Sequence, residues 1–366
     1  MSEKTKTRFI ALYLPQYHPI PENDEWWGKG FTEWTNVGRA KPLYRGHYQP
    51  KVPTDLGYYD LRLPEVRYQQ AELARLAGIE GFCYYHYWFG EGKMLMERPF
   101  KEVVDSGEPD FPFCLCWANH SWYKKLWDPH AKGKNLLLIE QKYPGEQDYL
   151  DHFIYLLSAF RDSRYIRVNG KIFFIIYDAM KFSDVSNFIV FWRKLAKEYG
   201  LNDFYFVATD YDGRNKEVLL SKGFDATYNV DLDNIHHHLP VYKKALLYFQ
   251  RKYLHRPAVF KYKNAIKHMI IDDCKDRRVI PVIGPNWDHT PRSGGFGLVL
   301  HDAQPKYFKE IAKRAIDIVK SKPEEERIVI IKSWNEWGEG NYMEPDIKYG
   351  HGYLEALKEA INESDL

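Results

Sequence analysis

Apolar positions cluster into eight short runs rich in Ile, Val, Phe and Tyr, at 9–14, 81–89, 113–119, 172–178, 204–210, 226–230, 279–283 and 327–334. Runs of this length and make-up read as strands, and their near-continuous hydrophobicity suits strands buried on both faces. Between them the apolar spacing changes to the three-to-four-residue repeat of helices. The first helix is expected over 64–78, opening on Pro64 and stopping at Gly78, with Val66, Leu73, Ala74 and Ala77 on its inner face. Others are expected at 94–106 (Phe100, Val103 and Val104 inward), 146–161 (Leu150, Phe153, Ile154 and Leu157 inward), 184–199, a short one ending near Gly223, 305–320 and 352–362. Asn169-Gly170 is a hairpin signal that joins 165–168 to the fourth strand.

Eight strands alternating with helices predict a (β/α)8 barrel. A doubly wound open sheet is the alternative, but no strand runs into a Gly-x-Gly-x-x-Gly turn. Strands one to five, seven and eight all end on polar or aromatic residues, and barrel sites are built at that C-terminal rim. The chain, 1–366, is read as one such barrel with two departures. These are a long rim loop over 18–63 and a basic insertion over 231–275 that holds two helices.

Composition narrows the chemistry more than the fold. A formal net charge of +2 over 366 residues gives no case for nucleic-acid binding. Cys83, Cys114, Cys116 and Cys274 are too few and too irregular for a disulfide framework and are expected as small buried groups. No apolar run approaches the roughly 18 residues of a membrane span, and 1–8 has no apolar leader core, so a soluble cytoplasmic protein is expected. Aromatic residues make up 16% of the chain, many in polar, glycine-rich stretches where they suit the faces of sugar rings.

Chemistry concentrates at Ser333-Trp-Asn-Glu-Trp-Gly-Glu-Gly340, where the eighth strand should stop. In an extended chain Glu336 and Glu339 would face opposite ways, with Cα atoms about 10 Å apart. If the chain turns at Gly338, both can face the barrel mouth, since side chains three apart on a helical turn approach within about 5–6 Å. Glycoside cleavage needs such a pair, one carboxyl protonated and one ionised, and neighbouring indoles raise one pKa by desolvation. The plainer alternative is that Glu339 caps a turn or pairs with a base on the rim. Strand alternation raises a further point: an inward Glu336 implies an inward Trp334 and Lys332. That lysine needs a carboxylate, for which Asp178 or Asp210 are the candidates, unless a bulge intervenes.

His18, His86 and His120 each end a different strand. They lack the spacing of a zinc site, so hydrogen bonding to sugar hydroxyls or a plain structural role is expected, and no metal or other cofactor. Asp288 beside Trp287 reads as a rim group. The tract His236-His237-His238 reads as solvated loop, and Lys243, Lys244, Arg251, Lys252 and Arg256 as a solvated helix face. A patch for an anionic glycan or a membrane-attached acceptor is the sharper alternative for those cations.

Several long blocks resemble one family. They are Tyr13-Leu-Pro-Gln-Tyr-His-Pro19, Asn23-Asp-Glu-Trp-Trp-Gly-Lys-Gly-Phe-Thr-Glu-Trp-Thr-Asn36, Gly81-Phe-Cys-Tyr-Tyr-His-Tyr-Trp-Phe89, Phe111-Pro-Phe-Cys-Leu-Cys-Trp-Ala-Asn119, Pro285-Asn-Trp-Asp288, and Trp334-Asn-Glu-Trp-Gly-Glu-Gly340 with Glu344-Pro-Asp346. Together they resemble the WbsX-like family of polysaccharide-biosynthesis glycosyltransferases, related in fold to glycoside hydrolase family 99, over nearly the whole chain. The resemblance implies a (β/α)8 barrel acting on glycans. In the related hydrolases a Glu-x-x-Glu pair cleaves α-mannosidic bonds with retention: one carboxylate deprotonates the sugar 2-OH, which closes on the anomeric carbon as a 1,2-anhydro sugar, and the other is the general acid. By motif, Glu336 would be the base and Glu339 the acid. Substrate contacts are expected from Tyr13, Gln16, Tyr17, His18, Trp34, Tyr85, His86, Trp88, Trp117, Asn119, His120, Tyr177, Asp178, Asp210, Trp287, Asp288, Asn335, Trp337 and Glu344. His120-Ser121 departs from relatives, which usually carry a glutamate after Trp-Ala-Asn.

The residues and the resemblance together support three functions, in order of preference. The first is a retaining glycoside hydrolase or transglycosylase acting on a bacterial polysaccharide. The second is a sugar-nucleotide-dependent transferase of O-antigen or capsule assembly, against which stands the lack of a nucleotide-binding Rossmann fingerprint. The third is a non-catalytic glycan-binding barrel.

Overall fold

The computed structural model describes residues 7–125, 135–211, 213–229 and 238–364. Parallel strands form a ring: β1 (Arg8–Tyr13), β2 (Gly81–Trp88), β3 (Phe113–Trp117), β4 (Lys171–Ile176), β5 (Phe204–Thr209), β6 (Ala226–Tyr228), β7 in two pieces (Val279–Ile280 and Val282–Ile283) and β8 (Ile328–Ile331). Each pairs with the next, and β8 returns to β1 with Phe9 opposite Val329 and Ala11 opposite Ile331. The ring closes through β7, whose first piece pairs with β6 and whose second pairs with β8. Pro281 between the pieces has no N–H for the ladder, but its carbonyl accepts from the Ile330 N–H at 3.0 Å. The architecture is the (β/α)8 barrel.

Around it lie α1 (Pro64–Ala77), α2 (Arg98–Ser106), α3 (Glu146–Arg161), α4 (Val185–Glu198), α5 (Lys216–Ser221), α6 (Val241–Leu254), α7 (Tyr262–Met269), α8 (Pro305–Val319) and α9 (Gly352–Ser364). Gly78 ends α1 in the left-handed region at φ 87, where a glycine has no Cβ penalty. The second helix starts later than its apolar pattern suggests, because Met94–Leu95 folds back antiparallel onto Tyr87 and Trp88. The buried face of α3 centres on Tyr149, His152, Phe153, Leu156 and Phe160, with Leu150 and Leu157 half-buried at its edge; of the expected stripe only Ile154 is exposed. Tyr149 and His152 count as polar in a sequence pattern, yet each buries a ring. The face then meets Trp192 of α4, which stands 4.5–5.8 Å from the rings of Phe153, Phe160, Phe174, Phe188 and Phe204. Each such pair adds about 0.5–1.5 kcal/mol beyond its area, so the wall carrying β4 and β5 is stiff.

The long connection after β1 is not structureless. It holds helices Pro21–Trp27 and Glu33–Gly38, the second opened by a capping box between Thr32 and Thr35. The insertion after β6 contains α6 and α7 and a strand, Ala258–Lys261, that pairs in parallel with Leu298–His301. His236, His237 and Val230 lie outside the described residues, while His238 stacks on His268 at 4.2 Å. All four cysteines are buried and unpaired. No helix among the described residues is long and apolar enough to cross a membrane.

Candidate active site

β8 stops at Ile331, two residues short of the polar knot, so strand alternation no longer governs the residues beyond it. Asn335–Glu336 pairs antiparallel with Asn341–Tyr342, and Trp337–Glu339 between them forms a 3-10 turn that Gly340 closes at φ 54. The turn is tied down on every side. Asn335 accepts from the Leu14 N–H at 2.7 Å and donates to the Leu14 carbonyl at 3.0 Å. The Tyr17 hydroxyl donates to the Asn335 carbonyl and accepts from the Trp337 N–H. The Trp337 indole stacks on Tyr342 at 3.7 Å and donates to Glu344 at 2.6 Å. Glu344 also accepts from Gln70 (2.6 Å) and Tyr59 (3.0 Å), although burial pushes its pKa up to about 7 against these three donors.

So held, Glu336 and Glu339 both face a cavity of about 1170 Å³ at the C-terminal rim, and each is in hydrogen-bond contact with the other. Gly338 serves by its lack of bulk, because a Cβ there would overlap the carboxylate of Glu33. Glu33 in turn receives Arg292 at 3.1 Å, and the Arg292 Nη1 reaches Glu339 at 2.5 Å. Burial, reinforced by the charge of Glu339, raises Glu336 well above the ordinary carboxylate range. Burial works on Glu339 in the same direction, but Arg292, Lys332 and His289 together outweigh it and hold its pKa low. Two carboxyls this close cannot both ionise cheaply, and the opposite directions of their shifts make Glu336 the more basic of the pair.

Lys332 does point into the cavity. Its ammonium lies 4.6 Å from the Trp287 ring and serves the carboxylate pair rather than Asp178 or Asp210. Asp178 pairs with Lys181 at 2.7 Å, and Asp210 accepts from the Asn215 backbone at 3.0 Å. Trp334 does not obey the alternation: it is fully buried against Phe82.

Of the residues expected to touch substrate, Gln16, Tyr85, Asn119, His120, Tyr177, Asp178 and Trp287 line the cavity with the two glutamates. Asn119 is oriented by accepting from the Asp178 N–H at 2.6 Å and donating to Tyr143 at 2.9 Å. Burial keeps His120 neutral down to about 4, and its Nδ1 has no hydrogen-bond partner among the described residues.

The other expected contacts are corrected by their positions. On β2 the alternation aims Tyr85 and Tyr87 at the cavity and His86 and Trp88 at the helices, where His86 meets His152 (2.8 Å) and Trp88 donates to Asp148 (3.1 Å). Trp117 also faces outward, donating to the Trp88 carbonyl, and Tyr13 donates to Gln70 beneath α1. His18 is buried away from the cavity. Trp34 donates to the Tyr59 carbonyl, its ring 4.7 Å from Tyr17 and 5.6 Å from Trp337. Asp288 is a hub for His47, Gln49 and Thr290 at 2.6–3.0 Å; burial alone would raise its pKa, but His47, the nearby charge of Lys51 and Thr290 together hold it below the ordinary carboxylate value. Tyr17, Asn335, Trp337 and Glu344 hold the turn, and Asp210 caps its own loop. These twelve shape the site without lining it.

Glu33, Tyr87, Tyr143, Tyr211, His289 and Arg292 line the cavity and are not singled out by the sequence reading. Glu33 stands beside Trp34 in one of the family-like blocks, and Arg292 comes four residues after the Pro285–Asp288 block. That nearness to family-like blocks is the available signal. The three histidines that end strands do not converge, and no group of three or more His, Cys, Asp or Glu among the described residues is placed to hold a metal ion.

A rim cavity walled by phenols and indoles offers apolar faces to a ring and polar edges to its hydroxyls, the recognition a carbohydrate requires. Paired with two touching carboxyls in an α/β barrel, it defines the carbohydrate-processing class. Within that class the assignment is specific: residues 9–357 match the model described as "Glycosyltransferase WbsX", and the chain belongs to that family. It is 33% identical over 99% of its length to the uncharacterized protein WxcX of Xanthomonas campestris pv. campestris, strains B100 and ATCC 33913. The chain spans about half the length of these curated relatives. In fold it resembles a solved glycoside hydrolase-like protein (TM-score 0.60, 15% identity, 97% of this chain and 94% of that one). It also resembles the GH99 endo-alpha-mannosidase of Bacteroides thetaiotaomicron (TM-score 0.57, 16% identity, 100% of this chain and 98% of that one).

Proposed function

We propose that this barrel cleaves or transfers glycosidic bonds of a bacterial polysaccharide with retention, using the sugar's own 2-OH as nucleophile. The observation that carries the reading is the mutual contact of Glu336 and Glu339 inside one cavity, with their proton affinities driven apart. In a direct displacement with retention the two carboxyls stand about 5–5.5 Å apart, across the ring from each other. A 2-OH-assisted reaction instead needs one carboxyl at O2 and one at the glycosidic oxygen, on adjacent ring carbons, with O2 entering the anomeric carbon from the side opposite the departing oxygen. Glu336 takes the 2-OH proton, O2 closes on the anomeric carbon, and the departing oxygen takes a proton from Glu339. Water or an acceptor hydroxyl then opens the 1,2-anhydro ring, returning its proton to Glu339, while Glu336 restores the 2-OH.

This allotment is the reverse of the resting one, in which Glu336 holds the proton. Substrate supplies the reason for a switch. The 2-OH donates a hydrogen bond and favours a carboxylate at Glu336, whereas the glycosidic oxygen only accepts and favours a carboxylic acid at Glu339. The proton crosses the hydrogen bond that joins them, and Arg292 keeps Glu33 as its counter-ion. A glycan-library screen reading hydrolysis and transfer products is the test, followed by leaving-group analysis. Glu339→Gln is expected to lose natural glycans yet still turn over substrates with activated leaving groups, and Glu336→Gln to lose both. The opposite pattern assigns the roles as they stand at rest, and no product with any glycan sinks the catalytic reading.

A second reading, a sugar-nucleotide-dependent transferase, is favoured by the family's own description and by Asp-x-Asp spacings at 210–212 and 231–233. Thermal stabilisation by a nucleotide sugar with a divalent ion, but not by the free sugar, would select it.

A further inference from the structure

We infer that α6 is a docking helix for an anionic lipid surface. None of the residues of Val241–Leu254 is buried. Tyr242, Leu246, Phe249 and Tyr253 recur at the four-three-four spacing that puts them on one helix face, and each is 50% or more exposed. An apolar stripe of that size on an otherwise well-packed barrel calls for an occupant.

Charge says which. From Leu239 to Ile271 the sequence has eight Lys and Arg residues (Lys243, Lys244, Arg251, Lys252, Arg256, Lys261, Lys263, Lys267) and no Asp or Glu. The whole chain is only +2, so everything outside this segment carries a net −6. At 100° per residue Lys243 and Lys252 fall on opposite edges of the stripe. Lys252 shows that placement directly, its ammonium standing 5.2 Å from the Tyr253 ring. An aromatic and aliphatic stripe edged by cations fits the interface of a bilayer, with rings at headgroup depth and ammonium groups on lipid phosphates. A second copy of the helix would bring the same cations against each other, which makes self-pairing through this face unfavourable.

The attachment of α6 relates this surface to the cavity. Arg251 donates to the Phe296 carbonyl, and the His255 ring meets Phe296 edge-on at 5.4 Å. Gly295 has no room for a Cβ because the His255 carbonyl occupies that space. The Gly294–Phe296 turn directly succeeds Thr290–Ser293, the short helix carrying Arg292. A helix seated on lipid is thereby clamped to the loop that completes the carboxylate site.

The test is co-sedimentation of the full chain with phosphatidylcholine vesicles, with and without phosphatidylglycerol, over a salt series. Expected is binding only to the anionic vesicles and weakening with salt. Lys243→Glu/Arg256→Glu should weaken it by about tenfold or more, and so should Leu246→Ser/Phe249→Ser, with the thermal melt unchanged in both. No binding to anionic vesicles overturns the inference, as does equal binding to neutral ones, indifference to both double variants, or a dimer that Leu246→Ser/Phe249→Ser dissolves. None of these outcomes depends on glycosidic activity, so the inference fails or stands apart from the proposed function.

Discussion

The carboxylate of Glu33 occupies the space that a side chain at Gly338 would need. Two residues about three hundred positions apart are thus fitted to each other, and through Arg292 the fit sets the charge of Glu339. Gly338→Ala is expected to push Glu33 off Arg292 and disturb the turn between Glu336 and Glu339. Overpacking of this kind costs about 1–3 kcal/mol. The thermal melt should fall accordingly, and kcat/KM should fall much further than the melt explains. A Gly338→Ala enzyme with unchanged kcat/KM would show that Glu33 has no part in positioning the pair.

The barrel is legible in the sequence because strand and helix periods are physical and local. Where local rules stop, so does the reading. Ending a strand suggests that His86 and Trp88 face the cavity, yet alternation along β2 turns them to the helices and turns Tyr85 and Tyr87 inward. Pattern alone cannot say which of the two faces is the inside when both are aromatic. Arg292 and Glu33 reach the site on loops from opposite ends of the chain, and no spacing rule joins them. Tyr17, Asn335 and Glu344 belong with the motif, as their sequence blocks suggest, but do not touch the cavity: their hydrogen bonds hold its turn in place. The parallel pair formed by Ala258–Lys261 and Leu298–His301 has only four residues a side, too short for a period to show.

Arg292 is the cation that most directly opposes protonation of Glu339. The proposed mechanism needs one proton on the pair: below the lowered pKa of Glu339 both carboxyls are protonated, above the raised pKa of Glu336 both are ionised, and activity is expected to fall at both limits. Arg292→Gln removes the guanidinium, the Glu339 pKa rises toward the ordinary carboxylate value, and the acid limb of kcat/KM moves to higher pH. A pH–rate profile of the variant checks this. An acid limb that stays in place means that Lys332 and His289 suffice.

Glu344 stands behind the cavity wall and accepts from Trp337, Gln70 and Tyr59 at once. Glu344→Gln turns one of its two acceptor atoms into a donor and sets it against the N–H of a neighbour. Leaving a buried donor without a partner costs about 1–3 kcal/mol. The expected result is a lower melting temperature with a smaller proportional loss in kcat than Gly338→Ala produces, because the Asn335 and Tyr17 bonds still hold the turn. Denaturation curves measured beside kcat separate the two effects. An unchanged melt would mean that the carboxyl is protonated in the native state and already donates.

His120 faces the same cavity from the β3 end, beside Tyr177 at 5.6 Å, and does not touch the carboxylate pair. Its neutral ring brings hydrogen-bonding capacity without charge to that wall. A group that only binds substrate should affect ground and transition states alike, so His120→Ala is expected to raise KM with kcat nearly unchanged. Because burial keeps the ring neutral down to about 4, the wild-type KM should be flat with pH through the neutral range. His120→Glu sharpens the test: it adds charge near Asp178, and an anionic sugar should be rejected more strongly than a neutral one. If His120→Ala instead lowers kcat and kcat/KM equally, the imidazole acts in the transition state, and the catalytic set extends beyond the two glutamates.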